Sequence, residues 1–112
     1  MSDNFATLAG QLATWPSKDD LARVLQSAGL HIYVGRYSIR VEDCEHFSFE
    51  QYGGDLGDPV IDADAETVES LVRDSRLVSS ALAAADLRHR FEVYDDNDNI
   101  AAYFHHRWPD EA

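Results

Sequence analysis

Cysteine, proline and positive charge are all scarce in this 112-residue chain, and each scarcity closes off a class of protein. Cys44 stands alone, so there is no internal disulfide, no Cys-x-x-Cys redox pair and no paired-thiolate zinc motif; a reducing, cytoplasmic setting is the expectation. Nine Lys and Arg stand against 21 Asp and Glu, a net charge of −12. A field of that sign repels phosphate backbones and anionic lipid, which argues against nucleic-acid and membrane partners. No stretch approaches the roughly 20 apolar residues of a membrane span. The start, Met1 to Phe5, also lacks the basic and apolar regions of a secretion signal. What the chain does have is 45% apolar residues and many aromatics, enough to bury the core of one domain over 1–112.

Periodicity sets the expected architecture. Phe5, Leu8, Ala9 and Leu12 follow helical spacing, which predicts a short helix from Asp3 to Thr14, ended by Trp15-Pro16. Ser17 and Asp20 resemble a capping box ahead of the stripe Leu21, Val24, Leu25, Ala28, which Gly29 closes. From His31 the period becomes two. Ile39 and Val41 with Phe47 and Phe49 predict a hairpin; an odd loop such as Cys44 to His46 would set Arg40 opposite Glu50. Gly53 to Pro59 reads as a loop. Asp62 or Asp64 is the expected cap of a main helix bearing Val68, Leu71, Val72, Val78, Leu82 and Ala85, with a bend near Ser75.

The last hairpin can be read to the residue. His89, Phe91 and Val93 share one face, as do Ile100, Ala102, Phe104, His106 and Trp108; a turn centred on Asn97-Asp98 pairs His89 with His106, Phe91 with Phe104 and Val93 with Ala102. The sum is an α+β fold of order α-α-ββ-α-ββ: a four-stranded, mostly antiparallel sheet of two hairpins with helices on one face.

His89 and His106 with His46 and Cys44 are the donors of a conceivable zinc site, but neither a helical His-x-x-x-His nor paired-Cys spacing accompanies them. Asp95, Asn97 and Asn99 begin a calcium-loop pattern that fails at Ile100 and His106. Asp55, Asp58, Asp62 and Asp64 could hold Mg²⁺, yet turn and cap duties account for all four. Cys44 and His46 lack a third group for nucleophilic catalysis, and Ser79 and Ser80 lack an elbow motif. No cofactor is expected.

Residues 38–87 hold twelve acids and three bases, so most of the charge lies mid-chain. Tyr94 and Tyr103 fall on the sheet face opposite Phe91 and Phe104, beside Arg90 and Glu92, with the composition of a protein-binding surface. Size, acidity and outline resemble small bacterial immunity proteins and acidic secretion chaperones, which bind a partner and do no chemistry. The expectation is a non-enzymatic module. It would engage a basic protein through Tyr94, Tyr103, Arg90, Glu92, Asp55, Asp58 and Glu66, and a homodimer through the sheet face is left open. The alternative is a small-ligand or metal domain at the histidine edge.

Overall fold

The computed structural model describes residues 5–50 and 59–108. Its elements are β1 (Ala6–Leu12), α1 (Lys18–Ser27), β2 (Ile32–Val34), β3 (Ser38–Val41), β4 (His46–Glu50), β5 (Val60–Ala65), α2 (Val68–Ala84), β6 (His89–Tyr94) and β7 (Ile100–His106). The strands form one antiparallel sheet of seven, in the order β2-β3-β4-β5-β1-β6-β7. The expected four-stranded sheet of order α-α-ββ-α-ββ is therefore overturned, although its α+β character and its two hairpins remain.

The largest correction is β1. The segment expected as a helix over 3–14 is a strand between β5 and β6 from Ala6 onward. Its apolar residues satisfy two periods at once: Phe5, Leu8, Ala9 and Leu12 fit a helix, while Ala6, Leu8, Gly10 and Leu12 alternate toward the core. Long-range pairing decides between them. Gly10 sits opposite Phe91, where a β-carbon would come within 3.1 Å of the Phe91 ring and 2.9 Å of Leu8 Cδ2. The missing side chain lets the aromatic ring close over the strand.

β5 is the second correction. Val60 to Ala65 alternates strictly, with Ile61, Ala63 and Ala65 buried. Asp62 and Asp64 point away from the core and cap nothing; α2 is capped by Thr67, whose Oγ1 accepts the Ser70 N–H at 3.0 Å. The helix runs unbroken through Ser75. In α1 the expected cap is present: Ser17 Oγ accepts the Asp20 N–H at 3.1 Å.

In the β3–β4 hairpin Arg40 lies opposite Ser48, and Glu50 opposite Ser38. The turn centres one residue earlier than expected, which sets Ile39 directly across from Phe49. Buried Asp74 of α2 holds that turn by accepting the Glu45 N–H at 3.0 Å. In the last hairpin all three expected pairs form. A bulge at Tyr94 moves the closing pair to Tyr94–Ile100, and Asp98 adopts φ +64° in a loop that Asp95 Oδ1 ties by accepting the Asn97 and Asn99 N–H groups. Arg107, at φ +47°, then turns the chain, so Trp108 leaves the face it was expected to share with His106 and lies under the guanidinium of Arg90, 5.1 Å from its ring centre.

Both helices cover the same sheet face. There Phe47, Phe49, Phe91, Leu21, Leu25, Leu71 and Leu82 are almost wholly buried, with Phe47 5.5 Å from Phe91 between ring centres. One polar atom in this layer is out of place. Ser75 is fully buried, and its hydroxyl has no hydrogen-bond partner among the described residues. Leaving such a group unpaired costs about 1–3 kcal/mol, whereas alanine is the best helix former. Ser75→Ala should therefore raise unfolding stability by about 1 kcal/mol, read as a higher denaturation midpoint at unchanged slope.

Candidate functional site

The face of the sheet opposite the helices carries the residues singled out from the sequence. One row of Cα partners crosses four strands: Tyr94 on β6, Thr7 on β1, Asp64 on β5 and His46 on β4. A second places Tyr103 beside Glu92, and a third places His105 beside Arg90, which pairs with Gln11. Arg90 ties this corner together: its Nε donates to Gln11 Oε1 at 3.1 Å and its guanidinium lies 3.9 Å from Glu92. Tyr94 donates its hydroxyl to Glu92 Oε1 at 2.8 Å, and the accepting carboxylate holds the phenol pKa above its ordinary value. Tyr103 is exposed and stacks on His105 with centroids 5.1 Å apart. Past the Thr7–Asp64 pair, β1 and β5 form no further ladder pair, and Ala9, Gly10 and Gln11 line a shallow groove with Pro59, Val60 and Ile61, bordered by Arg90 and Glu92.

Register also gathers charge. The β3–β4 turn, the β5–α2 connection and the β6–β7 turn all leave the sheet at one end, because Glu45 precedes His46 opposite Asp64, and Tyr94 pairs with Thr7 at the start of β1. Glu42, Asp43, Glu45, Glu66, Glu69, Asp95, Asp96 and Asp98 therefore meet there, and none of the three segments contains Lys or Arg. Glu66, Glu69 and Asp96 line one common depression. Glu66 is thus joined by acids nearly 30 residues away. Asp55 and Asp58, expected as part of the same surface, lie outside the described residues.

The proposed zinc donors are not brought together. His89 and His106 are cross-strand partners with stacked rings 6.2 Å apart, but Cys44 and His46 belong to the β3–β4 hairpin, with β5 and β1 between it and β6. His89 is buried with both ring nitrogens engaged. Nδ1–H donates to the Leu87 carbonyl at 2.8 Å, which leaves Nε2 to accept from the Ser79 hydroxyl at 2.7 Å. His106 pairs with Asp86 at 2.8 Å. Burial, reinforced by the Asp74 carboxylate, pushes the Cys44 thiol up to about 12, so it stays protonated at neutral pH and is a poor nucleophile and ligand.

A grouping that sequence reasoning missed is His46 with Asp62 and Asp64. His46 Nδ1 lies 3.2 Å from Asp64, and Nε2 lies 3.9 Å from Asp62. The strict alternation from Val60 to Ala65 is the signal for it in the sequence, and it competes with the preference of Asp for helix starts.

No protein-family model matches the chain, and no curated protein or solved structure is significantly similar to it. Among the described residues, no helix is long and apolar enough to cross a membrane.

Two histidines shift in opposite directions. Burial of His89 lowers its pKa below the ordinary 6.5, against a smaller opposing effect of the Leu87 carbonyl. As pH falls below 6.5 the unfolded chain takes the proton first, so stability declines with acid until the folded pKa is passed. Exposed His31 is raised above 6.5 by its hydrogen bond and charge contact with Asp43. Its contribution is present below 6.5 and fades as pH rises through the folded value. An NMR titration should place the His89 midpoint below 6.5 and that of His31 above it. Asp43→Asn should return His31 toward its ordinary value and leave His89 where it is; a His89 midpoint at or above 6.5 would contradict the buried neutral ring.

Proposed function

We propose that this protein is a non-enzymatic binding module that takes a basic protein partner onto its acidic end and the adjoining sheet face. The observation that carries the reading is the convergence of three acidic turns, distant in sequence, at one end of the sheet beside Tyr94. Charges so placed steer an oppositely charged partner and set its orientation, and the tyrosines supply area at low entropic cost. Tyr94 is held by Glu92, and Arg90 by Gln11 and Trp108, so part of this surface is ordered before any partner arrives. Binding is favoured over catalysis because the close Ser79–His89 pair is sealed in the core and the Cys44 thiol is held protonated.

The test is recovery of a partner from native cells, followed by titration of the purified pair. Affinity should fall steeply as salt rises toward physiological strength, where the screening length is about 8 Å. Glu42→Lys, Glu66→Lys and Asp96→Lys together should abolish binding, while Asp19→Lys on exposed α1 should leave it nearly unchanged. Tyr94→Ala with Tyr103→Ala should cost about 2 kcal/mol, roughly thirtyfold in affinity. Binding that is indifferent to both salt and the triple reversal would refute the acidic-end reading.

A further inference from the structure

We infer that His46, Asp62 and Asp64 form a site for a divalent transition-metal ion on the uncovered face of the sheet. One ring nitrogen and one oxygen from each carboxylate lie within 4.8 Å of one another. Donors around a tetrahedral ion with bonds near 2.1 Å are roughly 3.4 Å apart, so small side-chain rotations close the set. His46 Nδ1 lies 3.2 Å from Asp64, close to that spacing, and since an ion takes only one ring nitrogen, the Asp62 carboxylate must swing toward the nitrogen that binds.

The backbone fixes the arrangement. Asp62 and Asp64 are two residues apart on β5 and share a face; His46 lies directly opposite Asp64 on β4, and the two strands stay in register over five pairs. Both strands are interior to the sheet, held by β3 on one side and β1 on the other. Donors on such rigid elements are positioned before the ion arrives.

The two carboxylates also differ from the acids that hold the fold together. Asp43 accepts the His31 N–H, Asp74 the Glu45 N–H, and Asp95 the Asn97 and Asn99 N–H groups, while Asp20 and Asp86 pair with Arg23 and Arg107. Asp62 and Asp64 cap no helix, and among the described residues they receive no backbone N–H and no Lys or Arg lies within ion-pair distance of either. Two like charges on adjacent outward positions, faced by an imidazole, suit a dication that neutralises both. An imidazole nitrogen with two carboxylate oxygens favours Zn²⁺ or Mn²⁺ over Ca²⁺ or Mg²⁺, which prefer oxygen alone. Three protein donors on an open face leave coordination positions for water. This site does not depend on the proposed protein partner.

Isothermal titration of the full chain with Zn²⁺ alone, and electron paramagnetic resonance of added Mn²⁺ alone, test the assignment. One equivalent of at least one ion should bind. Asp62→Asn, Asp64→Asn and His46→Gln, variants that keep side-chain shape, should each weaken binding by at least roughly tenfold. His31→Gln, which removes a second exposed histidine beside a carboxylate, should not. Thermal melts of the apo variants confirm that each is folded. Failure of the wild type to bind either ion, binding that survives Asp62→Asn with Asp64→Asn, or equal loss in His31→Gln would each overturn the site; in the first case His46 serves only as a hydrogen-bond partner of Asp64.

Discussion

The sheet depends on the insertion of β1 between β5 and β6. Without that strand the molecule is two separate pieces, the meander β2-β3-β4-β5 and the hairpin β6-β7, each with a raw edge of unpaired backbone groups. β1 pairs with β6 along six residues and with β5 only at Ala6 and Thr7, so it is zipped firmly to one piece and pinned to the other at one end. Gly10 makes this close fit achievable by leaving room for Phe91, and Phe91 then reaches Phe47 across the junction. Core continuity and backbone pairing are thus satisfied by the same seven residues.

Because β1 aligns the two pieces, it also decides what the outer surface contains. Tyr94 and His46 are 48 residues apart in sequence and belong to different pieces, yet Thr7 and Asp64 bring them into one row. The concentration of acids follows from the same alignment. Within the two helices four acids (Asp19, Asp20, Glu69, Asp74) match four bases (Lys18, Arg23, Arg73, Arg76), so the excess of acid lies in the strands and turns. A turn can carry unpaired carboxylates at little cost because water screens them.

Local chemistry explains which parts of this were legible beforehand. The β6–β7 hairpin was readable because alternation and an Asp/Asn turn agree on one register, and the start of α1 because Ser17 is a strong cap. β1 was not, since seven residues that satisfy both the helical and the strand period are settled only by partners far along the chain. β5 was lost to its own outward aspartates, which look like caps until Thr67 is seen to do that work. β2, three residues at an edge, is too short to show any period. The tyrosine face was legible because it belongs to the readable hairpin; the acidic end and the His46 grouping were not, because both exist only once the strands are ordered.

The pairing of Thr7 with Tyr94 also constrains how the molecule is made. β1 must stay unpaired on its β6 side until synthesis has passed Tyr94, more than 80 residues later, so the sheet cannot close progressively. High contact order of this kind slows folding and lengthens the exposure of a half-apolar strand to the wrong neighbours. Carboxylates strung through the intervening turns keep that waiting chain repelled from its own kind, giving the acidic composition a role during folding that is independent of any mature partner.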